Sequence, residues 1–168
     1  EVDNISDIES YNNIENMIRL RYFRNSSKEY MNLVKEISTK YNNIKLILDS
    51  KYLKSYQDIR YDGLHYTSQE MTDMKNKKFI RKNKNVTYSA SCHNTDEINI
   101  ANKMNLDFIL LSPVLDNKYD KRSMGWINFK VLSKKANMPV FALGGISKND
   151  LDTCVANNGY GVSGISNF

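Results

Sequence analysis

The stretch PVFALGGISKND, residues 139–150, decides how the fold is read. Pro139 to Leu143 is a short apolar run of strand character, Gly144-Gly145 interrupts it, and Ser147 with Asp150 three positions on marks a helix start. A strand that runs through a glycine pair into a helix is the turn of a parallel α/β unit. Glycines let the backbone approach a ligand closely, and the positive end of the next helix favours an anion there. The helix is expected to run through Val155 and stop at Gly159, a residue suited to the left-handed C-terminal position.

Outward from this turn, six more short apolar or β-branched runs read as strands: Arg19–Arg24, Ile44–Asp49, Asp62–Tyr66, Val86–Ser91, Asp107–Ser112 and Gly161–Ile165. Each interval has room for a helix, and strands alternating with helices argue for a parallel sheet. Ser6-Asp7-Ile8-Glu9 and Asn94-Thr95-Asp96-Glu97 read as capping boxes, and Tyr30, Leu33, Val34 and Ile37 fall at helical spacing. The first helix has no strand before it. This order fits a barrel whose opening strand is missing from the sequence, and equally an open doubly wound sheet.

With 168 residues and 40% hydrophobic content, the chain can bury one ordinary core, so residues 1–168 are read as a single domain. The net charge of +5 favours anionic partners, although a lysine-, asparagine- and isoleucine-rich composition accounts for it as well. Two cysteines, Cys92 and Cys154, are too few for a disulfide framework and suit a reducing compartment, so a cytoplasmic protein is expected. No apolar run is long enough for a membrane span, and the N-terminus lacks the basic and apolar parts of a signal peptide. The run Lys75, Lys77, Lys78, Arg81, Lys82 and Lys84 is read as a solvated face and not as a nucleic-acid site.

Ligands of parallel α/β proteins bind at the carboxyl ends of the strands. Those ends carry Arg24, Asp49, His65 to Thr67, Ser91-Cys92-His93, Ser112-Pro113, Gly144-Gly145 and Ser166. The two glycine-rich ends, 144–145 and 161–166, form a candidate phosphate grip, with tight turns and helix packing as the alternative. His65 is read first as a core residue, Cys92 as a small buried residue, and Trp126 as a packing anchor.

The stretch from Ala90 to Phe168 resembles the C-terminal half of the thiamine-phosphate synthases and the related thiazole tautomerases. It is most similar to the barrel domain found with MutT-type Nudix hydrolases. The resemblance lies in Ser91-Cys92-His93-Asn94, Leu111-Ser112-Pro113-Val114, Gly125-Trp126, Ala142-Leu143-Gly144-Gly145 and Gly164-Ile165-Ser166. Asp62 to Ser68 extends it upstream.

The resemblance implies a compact TIM (β/α)8 barrel whose first strand would precede Glu1. It also implies coupling of hydroxymethylpyrimidine diphosphate to thiazole phosphate with Mg2+. Ser91, His93 and Arg24 would then be catalytic. Gly144, Gly145, Ile165, Ser166, His65 and Lys121 would bind substrate phosphate, and Asp49 and Glu70 would hold the metal, with a helix-cap role the alternative for Glu70. A homo-oligomer and a Nudix hydrolase are the protein partners it offers.

The departures fall on the diphosphate side: Tyr22, Ser26, Leu48 and the loop Asp116 to Arg122 differ from the family pattern. In that loop Lys118, Lys121 and Arg122 are the cations available to a diphosphate. A tautomerase-like isomerase and a non-catalytic barrel that binds a phosphorylated thiamine precursor therefore stand beside the synthase reading.

Overall fold

The computed structural model of the chain describes residues 17–20, 27–41, 43–56, 58–75, 79–81, 83–116 and 122–164. The chain divides into two compact units, Glu1–His65 with Asn83–Thr87, and Tyr66–Lys82 with Tyr88–Phe168. Both have the alternating α/β organisation expected from the sequence.

The first unit contains β1 (Met17–Arg19), α1 (Ser27–Lys40), β2 (Lys45–Asp49), a 3-10 turn (Ser50–Ser55) and most of β3 (Gly63–Tyr66). β1 and β2 pair in parallel with Arg19 opposite Ile47, and β2 and β3 pair in parallel with Asp49 opposite His65. Leu46, Ile47 and Leu48 are all buried in succession, the pattern of a strand covered on both faces. Tyr30, Val34 and Ile37 of α1 are also buried, which gives the predicted helical spacing its physical meaning.

The second unit contains α2 (Ser68–Asp73), β4 (Thr87–Cys92), α3 (Thr95–Met104), β5 (Phe108–Leu111), α4 (Gly125–Ser133), β6 (Val140–Ala142), a 3-10 turn (Lys148–Asp150), α5 (Leu151–Ala156) and β7 (Gly161–Val162). β4 to β7 pair in parallel in chain order. Ala90, Cys92, Ile109, Leu111 and Ala142 are fully buried on these strands, as are Ile98 and Ala101 of α3 and Phe129 of α4. The Cys92 thiol is pushed up to about 12 by burial, so it is the core residue expected and not a nucleophile. Trp126 meets Phe129 edge to face, in keeping with a packing role.

The helix starts form where the sequence put them, with one variation. Ser147 and Asp150 satisfy each other's orphan groups, with Ser147 N donating to Asp150 Oδ2 at 2.8 Å. At α3 the Asn94 side chain accepts from Glu97 N at 3.0 Å, but the Glu97 carboxylate accepts from His93 N at 2.6 Å, one residue before the cap. The segment Ser6–Glu9 lies outside the described residues.

Two expectations are corrected. β1 spans Met17–Arg19, so the strand starts two residues before the expected run Arg19–Arg24, of which Arg21–Arg24 lie outside the described residues. The left-handed residue after α5 is Asn158, with φ of 68°, and not Gly159. Gly159 is needed for space, because a Cβ there would lie 2.1 Å from Cys154 Sγ.

Candidate functional site

In the second unit the chain places His93, Ser112 and Gly144 just beyond β4, β5 and β6, at their carboxyl ends. His93, Ser112, Pro113, Arg122 and Met124 line an open cleft of about 440 Å³. His93 Nδ1 lies 2.7 Å from the Ser112 carbonyl and 3.4 Å from its hydroxyl oxygen. A carbonyl only accepts, so Nδ1 carries a proton and donates, which in the neutral form of the ring places the lone pair on Nε2. The ring is thereby oriented as a base with its other nitrogen available. Arg122 is exposed and brings a permanent positive charge to the same cleft.

The loop that supplies Pro113 and Met124 is built against the glycine pair. Leu115 N donates to Gly144 O and Val114 N to Leu143 O, each at 3.0 Å, while Met124 N donates to Pro113 O and Gly125 N to Val114 O, each at 2.9 Å. Gly144 and Gly145 have φ of 89° and 67°. A Cβ on Gly144 would lie 2.8 Å from Pro113 Cα, and one on Gly145 would lie 2.6 Å from Asp116 O. The tight-turn requirement is therefore real, and the pair also fixes the cleft wall. Gly145 is exposed, so its backbone remains accessible to a ligand.

Ser91 is half-buried on β4, opposite Leu110. Glu70 lies in the second unit as the third residue of an N-terminal cap: its Oε2 accepts from Thr67 N and from the Thr67 hydroxyl, each at 2.8 Å. This is the cap arrangement that the sequence offered as the alternative to metal binding.

In the first unit, His65 is buried at 1% exposure on β3, in keeping with a core position. Asp49 ends β2, and its Oδ1 accepts from Arg19 Nη2 at 2.9 Å in an ion pair that is nearly buried. Tyr56 donates to the Asp49 carbonyl at 3.0 Å, and the Asp49 N–H donates to the Tyr30 hydroxyl at 3.3 Å. Burial pushes the Tyr30 hydroxyl up to about 12, and burial followed by proximity to Tyr30 raises Tyr56. Arg19 was missed because the strand was set too late. The usable signal was a basic strand end beside an acidic one: Arg19 stands opposite Ile47, and Asp49 lies two residues on, on the same face of β2.

The donor set does not make a ready Mg2+ cage. Asp49 is already neutralised by a guanidinium, Glu70 is engaged in its own cap, and among the described residues no group of three or more His, Cys, Asp or Glu is placed to hold a metal ion. Arg24, Lys121, Ile165 and Ser166, with Tyr22, Ser26 and Lys118, lie outside the described residues. Of the basic run, Arg81 is tied down: its guanidinium pairs with Asp107 at 2.6 Å and lies over the Tyr88 ring.

Parallel strands with a histidine, a cation and a glycine turn at their carboxyl ends are placed where α/β proteins bind their ligands. The family profile described as thiamine monophosphate synthase, TMP-TENI, matches residues 14–168, and the chain belongs to that family. It is 31% identical over 155 residues to "Putative thiamine-phosphate synthase 2" of Aquifex aeolicus, covering 90% of this chain and 82% of that protein. A thiamine-phosphate synthase of Methanococcus maripaludis is 28% identical over 154 residues, covering 89% and 70%. Among solved structures, thiamine phosphate pyrophosphorylase from Pyrococcus furiosus superposes with a TM-score of 0.69 over 94% of this chain and 75% of that one, at 17% identity, which shows a shared fold.

Proposed function

We propose that this chain acts in thiamine biosynthesis as a synthase-type transferase, coupling hydroxymethylpyrimidine diphosphate to thiazole phosphate with release of diphosphate. The observation that carries the reading is the cleft in which the Ser112 carbonyl holds the His93 Nδ1 proton beside Arg122. Arg122 supplies charge to a phosphate, Gly145 offers its exposed backbone, and His93 Nε2 can accept or return a proton. Ser91, Arg24, Lys121, Ile165 and Ser166 keep their proposed substrate-contacting roles by motif position, while His65, buried on β3, is read as a core residue. Closure of the strands into an eight-stranded barrel belongs to the same proposal. The family match spans residues 14 to 168, which supports reading the chain as one domain.

The buried Arg19–Asp49 pair favours a second reading, an isomerase of the thiazole tautomerase kind or a non-catalytic binder. Proton shuttling by His93 alone would serve the isomerase, and it needs no diphosphate clamp. Calorimetric titration with each substrate, a thiamine phosphate assay and an assay of thiazole phosphate isomerisation together separate the three. Product formation supports the synthase, and thiazole phosphate binding without product excludes it.

Among the described residues no helix is long and apolar enough to cross a membrane. Both cysteines are free and buried, which suits the proposed cytoplasmic location. Self-association and a Nudix hydrolase partner rest on resemblance alone and are tested by sedimentation of the purified chain with and without such a hydrolase.

A further inference from the structure

The aspartate that the family resemblance assigns to a metal already holds a cation. We propose that Arg19 is a specificity-determining residue that takes the place of a divalent metal at Asp49, so this chain binds its anionic ligand without Mg2+.

Burial is the first support. Arg19 Nη2 and Asp49 Oδ1 are 2.9 Å apart, and the two side chains are only 15% and 8% exposed. A metal seeking the Asp49 carboxylate would have to expel the guanidinium and leave it with no counter-charge in a region poor in water, the costly way to break a buried ion pair. Keeping both cations on one carboxylate would set a dication against a guanidinium with too little negative charge between them.

Rigidity is the second. Arg19 sits on β1 opposite Ile47, and the next residue, Leu20, continues the ladder with its N–H on Ile47 O at 3.0 Å. On the other side the Asp49 backbone is clamped at both its N–H and its carbonyl by Tyr30 and Tyr56. The backbone that carries each partner is thus held in place.

The third is a donor in search of an acceptor. Among the described residues Arg19 Nε is buried with no hydrogen-bond partner. Buried polar groups are almost always paired, so this N–H is donor capacity that the Asp49 pair leaves unused. An oxyanion of the phosphate class has the required chemistry, and a guanidinium, unlike a metal, can be anchored to a carboxylate through one nitrogen and still donate through another. This ligand half rests on the ligand class proposed above.

The test is an Mn2+ titration of the full chain followed by electron paramagnetic resonance, with an inorganic phosphate titration by calorimetry in Mg2+ or in EDTA. Wild type is expected to show no saturable Mn2+ site tighter than about 1 mM, the weak end for oxygen-ligand sites. Arg19→Gln, which leaves the carboxylate unpaired, should gain Mn2+ affinity by about tenfold or more, and Arg19→Lys, which keeps the charge, should not. Phosphate affinity of wild type should be the same in Mg2+ and EDTA.

A tighter Mn2+ site in wild type that Asp49→Asn removes would overturn the proposal, as would a folded Arg19→Gln with no gain, or phosphate binding that requires Mg2+. If Arg19→Gln does not fold, the wild-type titration decides by itself. Phosphate binding in neither condition would remove the proposed ligand class, while the Mn2+ titration would still report on Asp49.

Discussion

Replacing Gly145 with alanine separates the two roles the glycine pair was given, and its cost can be worked from two independent terms. The residue has φ of 67°, where an L-residue is strained, at about 1–2 kcal/mol. The new Cβ would also lie 2.6 Å from Asp116 O and 2.7 Å from Leu115 O, both backbone atoms. The loop must then move by several tenths of an ångström, an overpacking cost of about 1–3 kcal/mol. Together these give about 2–5 kcal/mol against a total stability on the order of 5–15 kcal/mol.

Gly125→Ala is the internal control. It has nearly the same φ, 68°, but nothing lies within 4 Å of its Cβ, so only the strain term applies. Urea unfolding of the full chain should therefore rank Gly145→Ala below Gly125→Ala by the packing term. The displaced loop is anchored to the 113–114 backbone through Met124 and Gly125, and it lines the cleft with Met124 and Arg122, so phosphate affinity should fall in Gly145→Ala as well. Equal destabilisation of the two variants would refute the packing role given to Gly145.

His93→Ala should lower turnover by about a hundredfold or more, the scale of general acid–base catalysis, with phosphate binding retained; loss of binding with unchanged turnover per bound ligand would assign it to binding. Glu70→Gln should lower urea stability by about 1 kcal/mol and leave Mn2+ titrations unchanged, because its carboxylate caps α2. Native chain at pH 8 should not react with a thiol reagent at Cys92 or Cys154, whose thiols burial holds protonated, and both should react after denaturation. Tyr30 has a folded-state value near 12, above its unfolded value of 10.0, so the stability it contributes is full below pH 10 and is lost as pH rises from 10 towards 12. Urea midpoints measured across that range should drop less steeply in Tyr30→Phe than in wild type.

How far the sequence could be read depended on which physical signal each residue carried. The units around β4 to β7 were legible because apolar runs, caps and glycines agreed locally. Ser147 with Asp150 forms the predicted cap, and Gly144 and Gly145 adopt the left-handed conformations that only glycine takes readily. The ends of elements were less legible, and the candidate site depends on the ends. In the run from Arg19 to Arg24 arginines flank a leucine and an adjacent aromatic pair, so a strand can be laid on it in more than one position; its start was settled by pairing with β2, which local propensity does not encode. An error of a few residues there hid the ion pair on Asp49.

Gly159 shows the same limit from another direction. Its composition signal, a glycine after a helix, was correct, but the cause was the Cys154 sulfur beneath it and not the backbone angle, which fell to Asn158. Sequence reveals that a position is special more readily than why, because the reason is often a contact with a residue many positions away. Asp49 is the clearest case. Its place at the end of a strand marked it as functional, but whether a carboxylate holds a metal or a guanidinium depends on what the neighbouring strand presents to it, and here β1 presents Arg19.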